Sequence, residues 1–243
     1  MATTPVRSST SRRDATITHV LLGCGVAYAV LSVLANDVVA ATLYDGYSRM
    51  DQAISELSAI GAESRAFLVA MIPLFSALMI ACGVGVWRSA FGSRRLQALG
   101  VTLMAWGVSH VAWLWYPMTS RAEIAATGSS GTTDLGHIVL TVLTFVFILT
   151  VIALGALSFG RGFFWYSVGT AVVILVAGAI VGVQSAGLAE GDATPWMGFI
   201  ERISSYGMMA YVAAVAVKLW GRFDGQENSV ERVERARELT GVS

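Results

Sequence analysis

Charge is what this sequence has least of. Asp, Glu, Lys and Arg make up 13% of its 243 residues, where a soluble domain carries roughly 25%. There is one lysine, Lys218, and there are two cysteines, Cys24 and Cys82. No Cys-x-x-Cys, Gly-rich phosphate loop, His-Glu-x-x-His or nucleophile elbow occurs, which removes the common metal, nucleotide and serine-hydrolase signatures. No basic patch exceeds what membrane topology requires, so no nucleic-acid partner is expected. A disulfide is not expected either, because both cysteines fall in the halves of their apolar runs nearest a reducing compartment. They read as small buried hydrophobes.

What fills the chain instead is apolar sequence. Hydrophobic residues account for 55%, and mean hydropathy is +0.66. Such a chain cannot cover itself with polar surface, so lipid must be its solvent. About 20 apolar residues are needed to cross the hydrocarbon as a helix. Runs of that kind lie near 17–42, 66–87, 97–117, 136–159, 164–186 and 196–220. The predicted fold class is therefore all-α, a polytopic integral membrane six-helix bundle. Residues 1–16 are expected to form a disordered cytoplasmic segment and 17–220 the transmembrane domain, with an outer-face polar segment at 43–65. Residues 221–243 read as a cytoplasmic tail, either a short amphipathic helix or a solvated, frayed segment. Asn228 to Glu231 would form its capping box and Glu231 to Arg235 an i,i+4 pair. Leu21-Leu22-Gly23-Cys24 looks like a lipoprotein cleavage box, but the apolar run continues far beyond it, and a retained helix is expected.

Orientation follows from the basic residues. Loops on the N-terminal side hold twelve of the sixteen, and Arg49, Arg65, Arg121 and Arg202 lie on the other side. The positive-inside rule then puts both termini in the cytoplasm, as an even number of spans also requires. Trp113, Trp115, Tyr116 and Trp196 mark the outer interface, and Trp87, Trp165, Tyr166 and Trp220 the inner one. Pro73 should kink the second span. Gly178-xxx-Gly182 permits close helix packing, and Thr194-Pro195 opens the sixth span.

Six ionisable residues gather at the outer mouth: Glu56, Arg121, Asp134, His137, Glu201 and Arg202. Charges within spans are expensive, so they face the protein interior and pair. Glu201 is expected to meet Arg121 or His137, and Arg202 to meet Glu56 or Asp134. Asp134 and His137, three apart, share one helix face. They could hold a divalent metal with Glu201, or make an oriented general base. The alternative is that Thr133 or Asp134 caps the helix and His137 closes a structural network. Asp37 would join this cluster or cap its own helix. His110 lies deeper and would be a haem or metal ligand only with a partner at equal depth. No cofactor is predicted.

Four segments carry a resemblance: Ile54-Ser-Glu-Leu-Ser-Ala-Ile-Gly-Ala62, Tyr116-Pro-Met with Arg121, Thr133-Asp-Leu-Gly-His-Ile-Val-Leu-Thr141, and Pro195-Trp-Met-Gly-Phe-Ile-Glu-Arg-Ile203. Together they resemble a bacterial multi-pass membrane family, domain of unknown function 998. The resemblance covers the six spans and implies the bacterial cytoplasmic (inner) membrane. It places the family's motif positions on the same six residues. A His often follows the Pro-Met pair in that family. Here the position is Thr119, which counts against a metal site built on that His.

The functional expectation is a non-enzymatic membrane protein. Its polar vestibule would bind a lipid headgroup, a small solute or a membrane protein partner, with Arg121 and Arg202 meeting an anionic group. The alternative is a membrane-embedded hydrolase or transferase using His137, Asp134 and Glu201. A further alternative is an accessory subunit or transporter.

Overall fold

The computed structural model describes residues 9–240 apart from 129, 130 and 191, with side chains described over 14–222 apart from those three and 189. Among the described residues the chain is helical, without a strand. Helix α1 spans Ser9–Val33 and continues through a π-helix, Leu34–Ala40, into α2, Ala41–Leu43. Then follow α3 (Arg65–Arg88), α4 (Arg94–Ser109), α5 (Arg121–Thr127), α6 (Asp134–Ala156), α7 (Arg161–Gly187) and α8 (Met197–Thr240). A 3-10 turn, His110–Leu114, extends α4.

Among the described residues five helical segments are long and apolar enough to cross a membrane: Asp14–Leu43, Arg65–Arg88, Asp134–Ala156, Arg161–Gly187 and Met197–Arg222. The remaining expected span, 97–117, is divided between α4 and its 3-10 extension. α1 starts at Ser9, inside the segment expected to lack structure. α8 runs unbroken to Thr240, so the Asn228 capping box opens no separate helix. The Glu231–Arg235 pair lies outside the described side chains.

The six long helices pack as a closed ring in the order α1, α3, α4, α6, α7, α8 and back to α1. Short turns make α3 and α4, and α6 and α7, antiparallel neighbours. The core inside the ring includes Leu22, Met79, Leu103, Trp106, Tyr211 and Val215. The outward faces stay apolar: Leu135 is 72% exposed and Val183 76%. Such exposure fits a surrounding medium that is itself apolar.

α3 and α4 approach most closely where two glycines meet. A Cβ on Gly83 would lie 2.7 Å from the Gly100 carbonyl oxygen, and one on Gly100 equally close to that of Gly83. Small residues of this kind bring backbones together where no hydrophobic force drives association. The Gly178-xxx-Gly182 spacing works differently from expectation. Gly178 makes room for the Phe145 ring of α6, whereas Gly182 faces open space. α3 continues through Pro73. Both cysteines are free thiols.

One end of the ring carries the start of α1, the α3–α4 turn, the α6–α7 turn and the apolar end of α8. Arg88 on Asp14, Arg95 on the Leu157 carbonyl and Arg222 over the Phe159 ring mark this arginine-rich end. The opposite end carries residues 44–64, 115–128, 131–133, 188–190 and 192–196, which fold over the bundle as a cap.

Candidate functional site

The cap is built by loop 44–64 lying across the start of α8. It contains a 3-10 turn, Ile54–Ser58. The first-turn amides of α8 lack helical acceptors, and the loop supplies them. Phe199 N–H donates to the Met50 carbonyl (3.1 Å) and Trp196 N–H to Asp51 Oδ1 (3.2 Å). The approach requires a glycine: a Cβ on Gly198 would fall 2.1 Å from the Gln52 carbonyl oxygen. Pro195 does not open the helix as expected. Trp196 takes a left-handed conformation (φ 64°), and α8 begins at Met197.

Glu56 is 2% exposed. Arg121 grips it with two parallel bonds, Nη2 to Oε1 at 2.7 Å and Nε to Oε2 at 3.0 Å. Gln52 Nε2 and the Ala53 N–H donate to the same carboxylate. The remaining Arg121 donors reach Thr194 Oγ1 (2.7 Å) and the Asp51 carbonyl (3.1 Å). Hydrogen bonding to Glu56 holds the Arg121 pKa above its usual value, against partial desolvation.

A second network surrounds Arg202, 9% exposed. Its Nε donates to Asp37 Oδ1 (2.8 Å), Nη1 to the Arg49 and Gly198 carbonyls, and Nη2 to Tyr47 Oη (3.1 Å). Tyr206 Oη donates to Asp37 Oδ2 (2.7 Å). Burial pushes the Tyr47 hydroxyl up to about 12, with the Arg202 hydrogen bond opposing. Asp37 lies in the π-helix, whose wider turn shifts the register of the side chains that follow.

The expected partners are thus exchanged. Glu56 pairs with Arg121 and Arg202 with Asp37. Glu201 meets neither Arg121 nor His137 by hydrogen bond; it accepts from the Ile54 N–H. Adjacent residues on a helix point about 100° apart, so Glu201 and Arg202 hold different stretches of the same loop.

Asp134 does not cap α6. Thr133 is the capping residue and makes no side-chain cap bond. The Asp134 carboxylate instead accepts from Thr119 N–H (2.9 Å), Thr119 Oγ1 and Gly131 N–H (2.6 Å), pinning both ends of the segment that contains α5. His137 Nδ1 lies 3.1 Å from the Tyr116 carbonyl, with the Trp113 ring edge-on at 4.8 Å. Asp134, His137 and Glu201 therefore serve three separate sets of partners. Among the described residues no three His, Cys, Asp or Glu side chains converge to hold a metal. His110 lies apart from the cap, near Tyr28 Oη (3.5 Å) and tilted against Trp106.

Sequence reasoning missed Tyr47, Asp51, Gln52, Thr194 and Tyr206. They are polar but unremarkable in composition, and only the folded loop reveals their role. Gly198, inside the Pro195-Trp-Met-Gly segment, was the available signal.

The family described as "Protein of unknown function (DUF998)" matches residues 10–218. The chain belongs to that family. The match runs from the start of α1 to the apolar end of α8 and contains every residue of the cap. No curated protein and no solved structure matches the chain.

Proposed function

We propose that this chain is a six-span protein of the bacterial inner membrane, with both termini in the cytoplasm and a preassembled polar cap facing outward. The cap binds a lipid headgroup, small solute or partner protein rather than performing covalent chemistry. The sixth crossing would be α4. Sixteen α residues and five 3-10 residues reach about 34 Å at roughly 1.5 and 2.0 Å per residue, enough for a hydrocarbon core of about 30 Å. The uneven distribution of arginine supports the orientation.

The observation that carries the binding reading is the internal pairing of the cap. A catalytic acid, base or nucleophile needs a free proton site or lone pair aimed at substrate. Here Asp37, Glu56 and Asp134 are committed to donors from the chain itself. What remains is a stiff surface with Trp115, Tyr116 and Trp196 exposed on it, at 63%, 42% and 57%. Such side chains suit headgroup depth or a partner's surface. Arg121, whose side chain is 29% exposed, is a cation that an incoming anionic group would engage in exchange with Glu56.

One observation favours the alternative, a hydrolase or transferase acting at the outer leaflet. With its Nδ1–H on the Tyr116 carbonyl, His137 would present an unprotonated Nε2 as base or ligand.

Native mass spectrometry on protein extracted gently from its own membranes tests both. A stoichiometric lipid, solute or partner chain that is lost in Arg121→Ala is the expected result. A bare monomer from wild type would overturn the binding reading. Bound divalent metal lost in His137→Ala, with turnover of a lipid substrate, would replace it with the enzyme.

A further inference from the structure

The arginine-rich end, remote from the cap, holds an open depression of about 520 Å³ between the start of α1 and the α3–α4 turn. Asp14, Thr18, Trp87, Arg88, Phe91 and Gln97 are among the residues that line it. We propose that it seats the phosphoethanolamine headgroup of a membrane lipid.

Position supports this. Arg88 is the last residue of α3, and Asp14 immediately precedes the apolar run of α1. Both therefore stand where hydrocarbon gives way to headgroups. Charge points the same way. The depression is lined by one carboxylate and one guanidinium, which matches a zwitterion better than an anion. Of the two arginines that open α4, Arg95 is turned to the Leu157 carbonyl and Arg94 is not among the lining residues.

The ion pair also leaves bonding capacity unused. Arg88 and Asp14 touch through Nη2 and Oδ1 at 3.2 Å, and Arg88 Nε donates to Thr18 Oγ1 at 3.1 Å. Among the described residues, Arg88 Nη1 and Asp14 Oδ2 make no hydrogen bond. The two side chains are 38% and 62% exposed. A phosphate can bind Nη1 while an ammonium, three donors on one nitrogen, binds Oδ2. The headgroup then bridges the pair without breaking it.

The α3–α4 turn supplies the apolar part of the seat. Ser89 and Ala90 are buried, and Phe91 and Gly92 follow in left-handed conformations (φ 45° and 81°). A non-glycine residue rarely adopts that conformation. Here it leaves Phe91 54% exposed beside Trp87, 45% exposed. Two aromatic side chains at this depth suit the glycerol and upper acyl region of a lipid.

The test is a lipid titration of the full-length protein in detergent, followed by native mass spectrometry. Phosphatidylethanolamine, phosphatidylglycerol and phosphatidylcholine are compared. Wild type is expected to prefer the ethanolamine lipid to both others by at least about tenfold. Choline lacks N–H donors for Asp14, and glycerol lacks the cation. Asp14→Asn is expected to abolish the preference over phosphatidylglycerol while retaining phosphatidylglycerol itself, since the Arg88 contact remains. Arg88→Gln should weaken all three. Should Arg88→Gln fail to fold, Asp14→Asn at its exposed position decides the matter alone. Equal binding of the three lipids to wild type, or a preference surviving Asp14→Asn, would overturn the proposal. So would displacement of the lipid by micromolar O-phosphoethanolamine, which would make the ligand a soluble ester.

Discussion

Glu56 and Arg121 stand 65 positions apart in sequence and form a two-bonded ion pair, with the carboxylate sealed from solvent and the guanidinium at its edge. The pair joins the loop after α2 to the start of α5. Through Arg121 it also reaches Thr194, just before α8. Three stretches of chain that share no helix are thereby tied at one point.

Arg121→Ala leaves a buried carboxylate without its cation, which costs about 3 kcal/mol or more when the partner is lost. The variant should unfold earlier in detergent, by a margin visible in a thermal scan. Removing both charges, as Glu56→Gln with Arg121→Met, should recover more than half of that loss. The glutamine still accepts from the Ala53 N–H, and no charge remains to be compensated. A double variant no more stable than Arg121→Ala would show that the pair does more than neutralise itself.

Gly198 and Gly207 lie on the same helix in opposite circumstances. A Cβ at 198 meets the backbone carbonyls of Gln52 and Arg49, at 2.1 and 2.7 Å, whereas one at 207 meets nothing within 4 Å. Gly198→Ala must therefore push loop 49–52 off α8 and lose the Phe199–Met50 and Arg202–Arg49 bonds. Limited proteolysis of the 44–64 segment should accelerate at least about tenfold, as its local opening becomes easier. Gly207→Ala should leave proteolysis unchanged and stabilise the helix by about 0.5–1 kcal/mol.

The contrast between these glycines shows what the sequence could and could not carry. Lengths and positions of the membrane segments were legible because hydropathy is a local property. The runs at 66–87, 136–159 and 164–186 became Arg65–Arg88, Asp134–Ala156 and Arg161–Gly187. Some of the charged members of the cap were legible too, because a charge beside an apolar run must find company, but Tyr47, Asp51, Gln52, Thr194 and Tyr206 were not. Nor was the pairing. Asp37 reaches Arg202 from a π-helix that composition does not announce. Glu201 takes a backbone amide, a donor that every non-proline residue offers and no sequence pattern marks. The α4 run failed as a single helix for a related reason: its last turn tightens to 3-10 at His110, a local choice that hydropathy does not register.

Tyr47 gives the cap a dependence on alkaline pH. Its hydroxyl donates to the Gln52 and Ala53 carbonyls, accepts from Arg202, and titrates near 12 rather than the ordinary 10. A folded-state pKa above the unfolded one means that stabilisation is whole below pH 10 and is lost as pH rises through 12. The loss amounts to roughly 2–3 kcal/mol at about 1.4 kcal/mol per unit. Between pH 10 and 12 the wild type should therefore lose stability more steeply than Tyr47→Phe, which has no proton to release. Parallel stability curves for the two proteins would show that the hydroxyl is not held in this network.

Whether α4 crosses the membrane decides the topology, because without it the termini would lie on opposite faces. Replacing Cys24 and Cys82 with alanine clears the background, since these are the chain's two thiols. Single cysteines are then placed at Arg94, the first residue of α4, and at Ala126, beyond its other end, both exposed. In intact cells a membrane-impermeant maleimide should label Ala126→Cys and spare Arg94→Cys until the membrane is opened. That pattern requires the 94–114 segment to traverse the bilayer and fixes the Glu56–Arg121 cap on the outer face. Labelling of both positions from one side would make α4 a re-entrant helix packed between α3 and α6. The ring would then be a five-span bundle, and the even-count argument for cytoplasmic termini would fall with it.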